Sequence, residues 1–281
     1  MSYQSLLKIL YARKPIFDVK RAILSAPVRH IFMIATIWFL TAAAKKDDLH
    51  ILEIGSWYGA STLSWAQGLE LYNAARGAIT CVDAWSAFFD MNVHAEVDYV
   101  RDMEEALATD AAYNIFLHNS RTLPQTIQCQ HMRGLSQSIL PQLREKYYDV
   151  VFIDGDHAYD AVKEDIRKSM RLVKEQGVIC GDDLNLQLHE CDVAVAQEKK
   201  RMDFVQDPQT GKNYHPGVTL AVAEQLGEVS SWAGFWMMQK QGRRWEKVSL
   251  KGMPVVYPKH FPDDAIRAAK SHFEDIAASI S

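Results

Sequence analysis

The sequence predicts an α/β protein: a seven-stranded, mainly parallel sheet with helices on both faces, preceded by a helical extension. Two observations carry this. From residue 50 onward, short apolar runs alternate with amphipathic stretches, the order in which crossover helices connect parallel strands. Runs such as ILEI at 51–54 and VVFI at 150–153 are apolar at nearly every position, as strands covered on both faces are.

The N-terminal 48 residues read as helical, at 5–12 and, after a break at Pro15, at 19–44 with an interruption near Pro27. The apolar stretch 31–44 is shorter than the roughly 20 residues a membrane span needs. A buried core helix is its first reading; an oligomer contact or a membrane-surface helix remains open, and Arg29, Lys45 and Lys46 at its flanks suit any of these. Parallel strands are expected at 50–54, 78–83, 126–132, 149–153 and 178–181. Their crossover helices should fall at 60–75, 94–119, 136–146 and 159–175, the last placing Val162, Ile166, Met170 and Val173 on one face. A polar segment then runs to His215, a helix follows at 218–226, and strands at 232–240 and 244–250 meet through Gln241 and Gly242 as a hairpin. An amphipathic helix at 263–278 closes the chain as packing or oligomer surface.

A length of 281 residues suits one such domain, at 49–251, between an N-terminal extension (1–48) and a C-terminal helical tail (252–281). Lys and Arg total 31 against 35 for Asp and Glu, without a basic cluster, so no nucleic-acid partner is expected. Cys81, Cys129, Cys180 and Cys191 lack paired metal-ligand spacing, and no leader pattern opens the chain; a cytoplasmic protein without an integral membrane span is expected.

In LEIGSWYGAST the first strand delivers Glu53 and then turns through Gly55 to Gly59 into a helix. Glycine permits a tight turn and close approach of a ligand, and the helix start offers unpaired N–H groups. The second strand ends on Asp83, beside that turn, where a carboxylate can accept both ribose hydroxyls. Together these indicate a nucleoside site with Glu53, Gly55, Ser56, Gly59, Ser61 and Asp83 as candidate contacts. Trp85 either covers the adenine face or packs beneath the following insert. The G-x-x-x-G spacing lacks the G-x-G-x-x-G that seats a pyrophosphate, so NAD is the weaker cofactor choice.

At the next pair of strand ends, FIDGDHAYDAVKEDI supplies Asp154, Asp156 and His157, and ICGDDL supplies Asp182 and Asp183. Carboxylates gathered in one small volume raise each other's pKa unless a cation, protons or basic partners offset them. Oxygen-only ligands suit Mg²⁺ or Mn²⁺. Singly, Asp182 and Asp183 read equally well as caps of the next loop, and Asp156 as solvent-facing.

The E-x-G-x-x-x-G turn followed by Asp83 resembles the class I S-adenosylmethionine methyltransferases, whose Rossmann-like sheet holds methionine at the glycine turn and ribose at the acid. The FIDGDHAYDAVKEDI and ICGDDL pair is similar to the metal-dependent sugar O-methyltransferases of the macrocin and rhamnosyl type, and more distantly to catechol O-methyltransferase; the match spans 49–250. The resemblance implies S-adenosylmethionine and Mg²⁺ or Mn²⁺ as cofactors, with Asp154, Asp182 and Asp183 as the metal ligands. Where the catechol branch has Asn and Lys, this sequence has Asp183 and His157, so the base does not transfer from it. Asp156 is the first candidate for that base and His157 the second; His157 reads equally as a structural hydrogen-bonding residue. The expected activity is O-methylation of a hydroxyl on a sugar or glycosylated small molecule, by a homo-oligomer. A phenolic diol acceptor and a non-catalytic nucleoside-binding subunit are the alternatives. Acceptor recognition is expected in the segment 185–215, with His189, Tyr214 and His215, or in 86–121.

Overall fold

The structure, a computed structural model, describes residues 7, 11, 13–42, 47–87 and 98–280, with 278–280 as backbone. The helix expected at 5–12 therefore lies outside the described residues apart from positions 7 and 11, as does the start of that expected at 94–119. Helix α1 (Arg29–Thr41) begins ten residues later than the pattern predicts, with turns and bends in place of helix before Pro27. Proline disfavours helical backbone in the residue before it, and Arg21 sits at φ 59°. Residues 31–37 of α1 are completely buried, so this is a core helix; no described helix is long and apolar enough to cross a membrane. It packs on α2 (Ala60–Tyr72), where a Cβ on Gly68 would lie 2.7 Å from Ile37 Cγ1.

Around α2 come β1 (Leu49–Ile54) and β2 (Gly77–Asp83). The following crossover is two helices, α3 (Asp98–Ala108) and α4 (Ala111–Ser120), because Asp110 between them takes a left-handed φ of 55°. Strand β3 (Ile127–Arg133) leads to α5 (Ser136–Ile139), which gives way to a 3₁₀ turn at Leu140–Gln142 around Pro141 and not to a helix reaching 146. After β4 (Tyr148–Ile153), helix α6 (Tyr159–Ser169) stops early, and β5 (Val173–Gly181) takes over where more helix was expected. Tyr148 already pairs with Val173, so Val173 serves the sheet and not the helix face.

The segment after Gly181 holds a 3₁₀ turn at Leu188–Glu190, α7 (Val193–Glu198) and a small hairpin of β6 (Val205–Gln206) and β7 (Asn213–Tyr214). Helix α8 (Pro216–Leu226), β8 (Ser230–Trp232), β9 (Phe235–Gln241), β10 (Arg244–Lys247) and α9 (Asp263–Ile280) complete the chain.

The strands order as β3-β2-β1-β4-β5-β9-β10, parallel from β3 to β5, with β9 antiparallel to β5 and β10 antiparallel to β9. This is the seven-stranded, Rossmann-like α/β sheet the sequence predicts. An eighth strand, β8, pairs with β9 because Ala233 (φ 52°) and Gly234 (φ 94°) turn the chain inside the strand expected at 232–240. Side chains alternate across the sheet: Val150, Phe152 and Cys180 join the α1 and α2 side, Val151, Ile153 and Ile179 the side covered by α6 and α8. The carboxyl ends of β1, β2, β4 and β5 therefore open side by side along one edge.

Candidate active site

At the end of β1 the chain turns through Gly55 at φ 85°. Its N–H donates to Val82 O at 2.9 Å, Asp154 N–H donates to Ile54 O at 2.8 Å, and a Cβ here would lie 1.8 Å from Asp154 O. Only glycine fits between two strands at that spacing. Gly59, at φ 87°, caps α2. Asp83 ties this turn to the next: its Oδ2 accepts from Ser56 N and Trp57 N, both at 2.9 Å, and its Oδ1 accepts from Trp85 N at 2.7 Å. A carboxylate has about four acceptor positions, so one remains on Oδ1. Burial raises the Asp83 pKa against the pull of these amides and of Arg133.

Glu53 is fully buried at the end of β1. Its Oε2 accepts from Ser56 Oγ at 2.8 Å and from Thr62 Oγ1, whereas its Oε1 has no partner. Burial lifts its pKa against hydrogen bonds from Thr62, Ser61 and Ser56. An orphaned acceptor beside a glycine cradle fits a ligand carrying an ammonium group and a ribose. Ser61 is buried in the first turn of α2. Trp85 is 1% exposed, with its ring centroid 4.6 Å from Phe116 and 5.0 Å from Tyr113, so it packs beneath the insert.

One strand over, Asp154, Asp182 and Asp183 each bring a carboxylate oxygen within 4.8 Å of the others. Asp183 reaches this position from a left-handed φ of 64°, a conformation Asp tolerates better than most residues. Arg29, from the start of α1, meets two of the three: Nη1 lies 2.7 Å from Asp182 Oδ1 and 2.6 Å from Asp183 Oδ1, while Nε donates to Ala233 O at 2.7 Å. Gly234 makes room for it, since a Cβ there would stand 2.3 Å from Arg29 Nη2. On the far side His157 Nε2 lies 3.0 Å from Asp183 Oδ2, and His157 Nδ1 lies 2.5 Å from Asp203 Oδ1. The α8 N-terminus brings His215 against both acids, because Gly217 lets the helix approach the backbone of 157–159.

The electrostatics follow from this placement. Burial, reinforced by the charges of Asp182 and Asp183, pushes Asp154 well above the ordinary range. Burial lifts Asp182 to about 7, with Arg29 pulling the other way. Burial would raise Asp183 too, but Arg29 and His157 hold it well below. Burial would lower His157, yet Asp183 and Asp203 hold it well above the histidine range. Four carboxylates here face one guanidinium and two imidazoles. Asp182 Oδ2 is buried without a partner. Two acids that burial and mutual repulsion keep toward their protonated forms and an orphaned oxygen, with all-oxygen donors, fit a hard divalent cation at Asp154, Asp182 and Asp183, which would take the place of those protons.

Asp156 stands apart from this cluster: it is exposed, and its Oδ1 accepts from Ala158 N at 2.8 Å. It does line the narrow cleft that Ile153, Asp154, His157, Asp182 and Trp236 share. Sequence reasoning missed Arg29 and Asp203 as site residues, and placed His215 in the segment expected to recognise the acceptor, whereas it stands against Asp183 and Asp203. Arg29 is 154 positions from Asp183, and no local pattern links them.

Residues 52–184 match the family model of a methyltransferase domain, an enzymatic domain. Among solved structures, the chain is similar to an O-methyltransferase from Bacillus cereus in complex with SAH, at 15% identity over 84% of this chain and 88% of that one, with a TM-score of 0.43. It is also similar to a TDP-rhamnose 3'-O-methyltransferase of calicheamicin biosynthesis, at 14% identity over 84% and 92%, with a TM-score of 0.42. A third, the O-methyltransferase TomG from Streptomyces achromogenes in complex with SAM, gives 16% identity over 85% and 89% and a TM-score of 0.40. Comparison with curated proteins gives no match.

Proposed function

We propose that the chain is an S-adenosylmethionine-dependent, divalent-metal-assisted O-methyltransferase acting on a hydroxyl of a sugar or glycosylated small molecule. The observation that carries this reading is the contact between two unlike sites. The Gly55 turn, with the orphaned Glu53 Oε1 and the spare acceptor of Asp83, abuts the backbone of Asp154, whose side chain belongs to the acid cluster. A methyl donor and an activated hydroxyl would thus be held as neighbours.

Glu53, Gly55, Ser56, Gly59, Ser61 and Asp83 would hold S-adenosylmethionine, with Trp85 supporting the turn from behind. Asp154, Asp182 and Asp183 would hold Mg²⁺ or Mn²⁺. Bound there, the cofactor supplies an electrophilic methyl group and the cation lowers the pKa of a hydroxyl. The chain itself must orient the acceptor and take its proton. Asp156, exposed at the cleft, is the first candidate for that base. His157 is the second, because carboxylates on both its ring nitrogens favour its protonated form. In this reading residues 49–251 form the methyltransferase domain of a cytoplasmic homo-oligomer, a compartment that suits four free cysteines.

The test removes the cation. EDTA is expected to suppress methyl transfer to a panel of hydroxylated acceptors, and Mg²⁺ or Mn²⁺ to restore it. Asp182→Asn should abolish transfer while leaving S-adenosylmethionine affinity within about tenfold, a window of roughly 1.4 kcal/mol. Full activity of Asp182→Asn in metal-free buffer would remove the metal from the mechanism, and turnover of phenolic diols but no sugar would reassign the acceptor.

A further inference from the structure

Arg29 does more than balance charge: it decides which oxygens of the acid cluster stay open. Its Nη1 lies 2.7 Å from Asp182 Oδ1, which also accepts from Asp183 N at 2.9 Å. An ionised carboxylate has about two acceptor positions on each oxygen. Asp182 Oδ1 is therefore full, and Oδ2, buried without a partner, is the oxygen left to a ligand. Asp183 is divided between two cationic side chains, with Oδ1 2.6 Å from Arg29 Nη1 and Oδ2 3.0 Å from His157 Nε2.

The guanidinium is not free to withdraw. It is 4% exposed, and its Nε donates to Ala233 O at 2.7 Å. Asn185, with its amide nitrogen 3.0 Å from Asp183 O, turns its oxygen to Arg29 Nη2 at 3.3 Å. Nη1, Nη2 and Nε thus each have a protein partner, and the fork is held in place whether or not an ion is bound.

Divalent cations differ in what they ask of such acids. Ca²⁺ takes about six to eight oxygens, often both oxygens of one carboxylate, whereas Mg²⁺ takes about six in a near-ideal octahedron and keeps water on several of those positions. An acid whose second oxygen is held by a guanidinium has one to give. We infer that Arg29 selects the ion at Asp154, Asp182 and Asp183: by holding Oδ1 of both Asp182 and Asp183 it limits each to a single free oxygen, which suits Mg²⁺ or Mn²⁺ and disfavours Ca²⁺. Arg29 is in this sense a positioning residue, acting on the ion through the acids it holds. The positions that the acids leave open on a six-coordinate ion fall to water and to oxygens of the acceptor. This role rests on the cation reading of the acid cluster and is independent of which acceptor is methylated.

The full-length protein, freed of metal by chelation, is titrated with Mn²⁺, the free ion is read by electron paramagnetic resonance, and Mg²⁺ and Ca²⁺ are added as competitors. Arg29→Met removes a positive charge and frees both Oδ1 atoms, so all three ions should bind more tightly. Affinity for Ca²⁺ should gain over that for Mg²⁺ by about tenfold or more, because ligand number and flexibility set that ratio. Arg29→Lys, which keeps the charge without the fork, should move the ratio less. If Arg29 only braced the fold, its loss would weaken all three ions together, and that result overturns the selection. Circular dichroism confirms that each variant is folded. If Arg29→Met does not fold, deuterium electron–nuclear double resonance of Mn²⁺-loaded wild type in D₂O decides the matter: about three bound waters, the remainder of six after one oxygen from each acid, support the role, and fewer overturn it. A Ca²⁺ to Mg²⁺ ratio within about threefold of wild type in folded Arg29→Met overturns the selection and leaves the cation site standing. Wild type that binds no Mn²⁺ removes the site and the selection together.

Discussion

The two ends of the site neutralise their acids in different ways. At the glycine turn, Asp83 is held by backbone amides of Ser56, Trp57 and Trp85, and Glu53 by the hydroxyls of Ser56 and Thr62. All of these donors are neutral, and they come from the glycine turn, the first turn of α2 and the turn that follows β2. At the ends of β4 and β5, Asp182 and Asp183 are held by Arg29, His157 and His215, charged or chargeable groups from three separate elements. Local neutral donors suit one isolated carboxylate. Several carboxylates in one buried volume must keep protons or meet positive charge, and here distant parts of the chain bring that charge.

The largest effect should come from removing the remote cation. Arg29→Met leaves Asp182 and Asp183 buried without their guanidinium and is expected to cost about 3 to 5 kcal/mol in urea unfolding. Added Mg²⁺ should return part of that loss by occupying the acids, and Arg29→Lys should fall between, keeping charge but not the fork that also reaches Ala233. A wild-type urea midpoint for Arg29→Met would break the comparison.

Asp165 sharpens it, being a buried acid with a single hydroxyl donor, Ser136 Oγ at 2.6 Å. Burial lifts its pKa to about 6. An unfolded aspartate titrates near 3.9, so between about pH 4 and 6 the folded chain keeps a proton that the unfolded chain has released. Its contribution is therefore fully present below about pH 4 and is lost as pH rises through 6. The two-unit rise corresponds to about 3 kcal/mol. The stability difference between wild type and Asp165→Asn, followed from pH 4 to 7, should shift against wild type across this window; a flat difference would mean that one hydroxyl suffices.

The smallest effect concerns the locally satisfied acid. Asp83→Ala should weaken S-adenosylmethionine binding by about 1.5 to 3 kcal/mol in isothermal titration, as expected for loss of a charged hydrogen-bond acceptor. Unchanged affinity would take Asp83 out of the cofactor site and leave it as a strut between two turns.

Much of this was legible in residue order. Period and composition marked all seven strands of the sheet path, the inner ones most clearly, because a strand covered on both faces must be apolar at nearly every position, whereas the edge strands β3 and β10 are largely polar and exposed. The glycine turn, Asp83 and the grouping of Asp154 with Asp182 and Asp183 followed from strand ends alone, since parallel neighbours place their carboxyl ends together. Three of the misjudged boundaries fell where one or two residues overrode the pattern: Asp110 splitting a helix in two, Pro141 curtailing another, and Ala233 with Gly234 breaking a strand.

What the sequence by itself determined, then, was the sheet, its open edge and the local chemistry of each strand end. Tertiary structure decided what faces that chemistry. The sequence alone left Arg29 as a charge flanking an apolar helix; folding α1 against the Ala233–Gly234 turn makes it the counter-ion of Asp182 and Asp183. Asp203 drew no notice in a polar stretch until the chain returned it to His157 and His215. Periodicity reports which face of an element is apolar, whereas charge pairing depends on distances between elements far apart along the chain, and packing alone sets those.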